Sequence, residues 1–187
     1  MVFKPNEAQK ATAKIVWGII RGFGYSEIAT ASILGNLQVE SYMNPGQSEF
    51  GGAGYGLIQW TPKENLYTQG VQLGISREEC ETAEGQAKII AQGDKTGQWM
   101  TTSDPRYGSQ VVNPLMLEEY KKFDNMQKAV ENFVSHFTRP RLDVANVSER
   151  VEDGKAYYEL FTGSPPTEGG GKDNKTQGLS IWLDNYM

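Results

Sequence analysis

Apolar residues recur at helical spacing from Asn6 to about Gly22: Ile15 and Ile19 share a face, and Ala11, Val16, Trp17 and Ile20 fill the neighbouring turns. Asn6 stands where an N-cap belongs, and Gly22-Phe23-Gly24 ends the run. Ser26 is the next cap, with Glu27 in the first turn. Ile28, Ile33, Leu34 and Leu37 then carry a second helix to about Ser41, which Asn44-Pro45-Gly46 closes. Residues 46–60 change character. Gly46, Gly51, Gly52, Gly54 and Gly56 crowd ahead of Leu57-Ile58-Gln59-Trp60, a pattern that predicts a small hairpin or irregular β segment. Helical spacing returns over 76–91, capped by Ser76 and carried by Ala83, Ala87, Ile90 and Ala91. Residues 92–114, rich in Gly, Thr, Ser, Asp and Pro, read as a loop. Leu115 to Tyr120 reads as a short helical piece, Asn125 to Phe137 as a stronger helix, and Val147 to Phe161 as the last one.

After Phe161 the composition turns to Gly, Ser, Pro, Thr and Lys, as in a linker. The chain therefore divides into a domain over 1–163 and a linker with C-terminal segment over 164–187, which either docks back or leads into a longer parent chain. The N-terminus has no long apolar run, so neither a secretory signal nor a transmembrane span is expected. No internal repeat is present.

Composition narrows the chemistry. With 187 residues, 38% of them hydrophobic, and a mean hydropathy of -0.54, the chain reads as a soluble globule of about one domain. Eighteen basic against 23 acidic side chains leave a net charge of -5, which offers no basic field to collect phosphates, so nucleic acid and membrane surfaces are not expected partners. Cys80 and His136 are the sole cysteine and histidine, too few for a disulfide or a Cys/His zinc cage. The expectation is chemistry without metal or cofactor, done by carboxylates. Twenty aromatic residues (Trp 4, Tyr 9, Phe 7) leave rings for a surface cleft as well as for a core.

Glu40 is the carboxylate that stands out. It lies four residues after Asn36, three after Leu37 and seven after Ile33, on a helix face that should be buried. Desolvation and the negative end of the helix dipole both disfavour its ionised form. A carboxyl kept protonated near neutral pH is what a general acid requires. The alternative is a glutamate that reaches water and merely precedes the turn at Asn44-Pro45. Gly54-Tyr55-Gly56-Leu57-Ile58-Gln59-Trp60 adds glycines that let another chain approach the backbone, together with an amide and two rings suited to sugars.

Glu40-Ser41, Asn44-Pro45 and Gly54-Tyr55-Gly56-Leu57-Ile58-Gln59 together resemble the lysozyme superfamily. The run Ile33-Leu34-Gly35-Asn36-Leu37-Gln38-Val39-Glu40-Ser41, followed by Gly56-Leu57-Ile58-Gln59-Trp60, is most similar to the phage tail lysozyme family, the murein-cutting domains of phage tail-associated proteins. The resemblance extends more loosely to 133–140 and 150–158 and covers roughly residues 6–162. It implies an α+β class, a mostly helical lysozyme-like fold with a small β-hairpin beside the cleft. It also implies a muramidase in which Glu40 protonates the glycosidic oxygen between N-acetylmuramic acid and N-acetylglucosamine. Tyr55, Gln59 and Ser41 match substrate-binding positions, and Trp60 follows in the cleft wall. The implied setting is the virion, in a phage tail, with peptidoglycan as partner and further domains or tail proteins reached through the C-terminal linker.

Two positions depart from the pattern. Animal-type lysozymes place an aspartate immediately before the tyrosine of the β segment, where this chain has Gly54. Relatives often carry a glutamate before Arg-Pro, where this chain has Thr138 before Arg139-Pro140. Three routes stay open. An inverting hydrolase would use a more distant base, Glu49 or Glu64, with Glu49 preferred. A lytic transglycosylase would need Glu40 alone, because the sugar's own 6-hydroxyl attacks. A binding module would keep the lysozyme shape without catalysis. Of the remaining candidates, His136 reads as a packed histidine, Cys80 as a thiol disfavoured from ionising by its acidic neighbours, Glu78-Glu79-Cys80-Glu81 as a solvated helix face, and Trp17 as core.

Overall fold

The computed structural model describes residues 3–107 and 114–167. Helix α1 (Glu7–Gly22) begins in a reciprocal cap: Gln9 N–H donates to Asn6 Oδ1 at 2.9 Å, and Asn6 N–H donates to Gln9 Oε1 at 2.8 Å. Helix α2 (Glu27–Ser41) starts at Ser26, whose Oγ accepts from Ala29 N–H at 2.9 Å. Every residue from Ile28 to Gln38 is buried, so α2 has no solvent face until its last turn. It is the central strut, with α1, α7 (Met126–Phe133) and α8 (Val147–Thr162) packed around it. The remaining helices are α3 (Glu64–Gln72), α4 (Arg77–Cys80), α5 (Ala83–Ala91), which packs on α1, and α6 (Leu117–Tyr120).

The helix expected over 76–91 is two helices. Ser76 caps α4, but Thr82 Oγ1 then accepts from Gly85 N–H at 3.1 Å and starts α5 afresh. Helix α3 lies where no helix was expected; its only apolar marks are Leu66, Tyr67, Leu73 just beyond its end and an exposed Val71. The Asn125 to Phe137 helix forms as α7 and runs on through a π-helical turn, Val134–Thr138, which Arg139 ends at φ 47°. Gly163, at φ 74°, terminates α8. Most of the 164–187 segment lies outside the described residues.

The α+β expectation is corrected. Among the described residues there is no strand and no sheet; the 46–60 segment holds only two isolated bridges, Ser48 to Tyr55 and Tyr55 to Trp60, and the class is helical. The reason is local. Tyr55 N–H donates to Trp60 O at 3.1 Å and Trp60 N–H returns to Tyr55 O at 2.9 Å, which closes a tight loop. Within that loop Gly56 (φ 78°) and Gln59 (φ 56°) are left-handed, so the pleat reverses and no second pair can form in register. No helix among the described residues is long and apolar enough to cross a membrane.

Candidate active site

The site is set by the crossing of α2 and α8. Gly35 lies so close to α8 that a Cβ on it would be 2.1 Å from Arg150 O and 2.7 Å from Gly154 N. That contact, possible only for glycine, brings the Arg150 side chain against the last two turns of α2. Arg150 is 1% exposed. Its Nε donates to Ala145 O at 2.6 Å and its Nη1 to Asn36 Oδ1 at 2.9 Å. The same Nη1 lies 2.9 Å from Glu40 Oε1, an ion pair whose angle leaves Oε1 without an aligned hydrogen bond.

Glu40 is therefore neither a free surface carboxylate nor a closed structural pair. Its side chain is 14% exposed, although Oε1 itself is buried against Arg150. Burial pushes its pKa above the ordinary carboxylate value, the Arg150 guanidinium pulls it back down, and the nearby Glu49 charge adds to the rise; the net direction is upward. Just beyond, Tyr42 and Met43 are both left-handed, at φ 53° and 61°, and turn the chain sharply into the glycine-rich loop.

Glu49 sits on that loop, exposed, its Oε2 accepting from Gly54 N–H at 3.1 Å. Gln59 flanks the same glycine: a Cβ on Gly54 would be 2.8 Å from Gln59 Oε1 and 3.1 Å from Glu49 Oε2. Gln59 Nε2 donates to Gly56 O at 2.8 Å and to Gln47 O at 3.2 Å, which holds the loop closed. Glu40, Glu49 and Gln59 thus share one neighbourhood. Glu64 stands exposed at the start of α3.

Other expected site residues have different surroundings. Ser41 is buried and shares its hydroxyl hydrogen between Leu37 O (3.0 Å) and Leu57 O (3.1 Å), tying α2 to the loop. Trp60 is 3% exposed and donates to Gln69 Oε1 at 2.9 Å; its ring lies in the core. The half-buried Tyr55 donates its hydroxyl to Glu81, as does Tyr67, and Lys63 pairs with Glu81 at 2.9 Å while lying 3.6 Å over the Tyr55 ring. The solvated face expected for residues 78–81 is thus only partly so. Cys80 is buried and Glu81 is the hub of this cluster. Desolvation opposes ionisation of Glu81, but the hydrogen bonds from Tyr55, Tyr67 and Lys63 outweigh it and hold the carboxyl down at about 2. Burial and the charges of Glu79 and Glu81 push the Cys80 thiol up.

The match to known proteins follows this geometry. The model for phage tail lysozyme matches residues 11–161, a span that holds most of α1, Glu40 and the glycine-rich loop, and nearly all of α8. The chain belongs to the phage tail lysozyme family. Morphogenesis protein 1 of Bacillus phage B103 is 25% identical over 149 residues, covering 77% of this chain. The chain spans just over a third (37%) of the length of that relative.

Sequence reasoning missed two side chains that hold the candidate residues, Arg150 beside Glu40 and Glu81 beside Tyr55. Arg150 had a signal: it shares a helix face with Gly154 and Tyr157, both buried against α2, where Tyr157 Oη donates to Gln38 Oε1 at 2.8 Å. Glu81 had none, because Tyr55, Lys63 and Tyr67 reach it from other parts of the chain. His136 is packed as expected, fully buried, stacked on Trp99 at 5.1 Å and bonded through Nδ1 to Met100 O at 2.6 Å.

Proposed function

We propose that this chain is a muramidase that hydrolyses the β-1,4 bond between N-acetylmuramic acid and N-acetylglucosamine in peptidoglycan, with Glu40 as general acid. One observation carries the reading: Glu40 is nearly buried, has its pKa raised, and lies within electrostatic reach of an exposed glutamate, Glu49, on the glycine-rich loop. A protonated Glu40 gives its proton to the glycosidic oxygen as the bond from that oxygen to the anomeric carbon breaks, and the electron pair leaves with the sugar alcohol. Water adds to the cationic anomeric carbon and loses a proton to Glu49. Glu49 then gives that proton to solvent and Glu40 takes one up from it, so both are regenerated and one water is consumed per bond. Gly54, standing before Tyr55, offers no carboxylate to attack the sugar directly, which favours water as nucleophile and inversion. Tyr55 and Gln59 are the proposed saccharide contacts of the loop, and its glycines let the strand lie close to the backbone. Family membership and a phage morphogenesis relative support a virion setting, with residues 164–187 leading to further domains or tail proteins.

The test is release of dye from labelled, purified peptidoglycan by the wild type, Glu40→Gln and Glu49→Gln. Glu40→Gln should lose about 10²-fold or more. Loss in Glu49→Gln as well supports the hydrolase. Full activity in Glu49→Gln moves the reading to a transglycosylase. Binding without release by the wild type moves it to a binding module.

A further inference from the structure

Arg150 is the largest fully buried side chain among the described residues, and it stands behind Glu40. Its guanidinium stays charged in any surroundings. A buried ion pair is seldom better for stability than apolar residues of the same volume, so a permanent charge at this crossing calls for another reason. The groups around it are fixed: Ala145 O and Asn36 Oδ1 accept from it, and Asn36 is itself held by Nδ2 donating to Ser32 O at 2.8 Å. Nothing in this frame titrates except Glu40.

We propose that Arg150 is a positioning residue that holds the Glu40 carboxyl at the end of α2 beside the glycine-rich loop and stabilises the carboxylate left when Glu40 gives up its proton, an inference that rests on Glu40 being the acid. Before transfer the guanidinium faces a neutral carboxyl; afterwards it faces an anion at 2.9 Å. Its attraction grows as the reaction proceeds, which lowers the barrier rather than only tightening binding. The charged groups facing Glu40 are Arg150 from α8 and Glu49 from the loop, with the C-terminal dipole end of α2 beneath. Arg150 opposes the other two. It keeps the acid strong enough to let go of its proton while burial keeps it protonated.

The test uses Arg150→Met and Arg150→Lys, read by the pH profile of kcat and KM on soluble glycan fragments and by carbon NMR titration of the Glu40 carboxyl, assigned with Glu40→Gln. In Arg150→Met the carboxyl midpoint and the alkaline limb should both move up by about one pH unit or more. The plateau kcat should fall about tenfold or more with KM little changed, and Arg150→Lys should recover about half of the shift, leaving a midpoint resolved from that of the wild type. A folded Arg150→Met with an unmoved midpoint, or a loss of activity that only tracks the unfolded fraction, overturns the proposal. If Arg150→Met does not fold, Arg150→Lys decides, with a smaller upward shift expected and an unchanged midpoint contradicting. Retained activity in Glu40→Gln would fell the acid assignment instead, while the carboxyl titration would still read the effect of Arg150.

Discussion

The carbonyl oxygen of Arg150 lies where a side chain on Gly35 would begin, 2.1 Å from the ideal Cβ. The three nearest neighbours of that missing atom, Arg150 O, Gly154 N and Gly154 Cα, are all backbone and cannot swing aside. Gly35→Ala should therefore force α8 away from α2 and cost about 3 kcal/mol in chemical denaturation. The same displacement should draw Arg150 from Glu40 and reduce activity in the fraction that remains folded. A substitution neutral in both respects would mean that the crossing is looser than its geometry.

Trp60 tests core against cleft. It is buried and bonded to Gln69, so Trp60→Phe should lower stability by about 1 kcal/mol and leave KM for glycan unchanged. Phe50, fully exposed on the glycine-rich loop beside Glu49, should behave in the opposite way: Phe50→Ala should raise KM about fivefold without moving the unfolding midpoint. Reversed outcomes would put the indole, not the phenyl ring, on the sugar.

Two acidic groups should shape stability in different pH windows. Glu81 is held at about 2 in the folded chain against 4.5 ordinarily, so its contribution is present above 4.5 and disappears as pH falls toward 2. Glu81→Gln should accordingly destabilise at pH 6 and make no difference near pH 2. Equal loss at both values would mean that the tyrosine and lysine contacts do not depend on the charge.

Asp153 is the reverse case. Burial, with the charges of Glu149 and Glu152, raises it from 3.8 to about 7. Because the folded chain binds its proton more tightly, ionising Asp153 is a penalty, absent below 3.8 and complete above 7. Asp153→Asn should stabilise by about 2 kcal/mol at pH 8 and by nothing at pH 3.5, measured by thermal or denaturant unfolding. No gain at pH 8 would mean that the carboxylate is better solvated than its surroundings imply.

Much of the helical frame was legible because its caps and its buried faces are encoded locally. Asn6 and Ser26 announce their helices, and the unbroken burial of α2 follows from a run with almost no charge between Glu27 and Glu40. The position of Glu40 was legible for the same reason. The 46–60 segment was not, because crowded glycines ahead of the apolar pair Leu57-Ile58 read as a hairpin or irregular β segment while left-handed Gln59 and Gly56 curl it into a loop, and a positive φ at glutamine leaves no mark in the sequence. The Arg150 pairing was legible only by half: the face it shares with Gly154 and Tyr157 marks it as inward, but its partners stand more than a hundred positions away and the contact depends on two glycines that let helices touch. Trp60 was read from its sugar-binding chemistry, but its N–H finds Gln69 and its ring finds the core.

Mass spectrometry of the fragments released from purified peptidoglycan by the wild type and by Glu40→Gln decides whether Glu40 cuts the glycan strand. Fragments ending in reducing N-acetylmuramic acid, present with the wild type and absent with Glu40→Gln, are the predicted result. Anhydro-muramic ends would keep Glu40 as the acid but remove water and Glu49 from the reaction. The same reducing fragments in equal yield from Glu40→Gln, or cuts confined to the stem peptides, would contradict it.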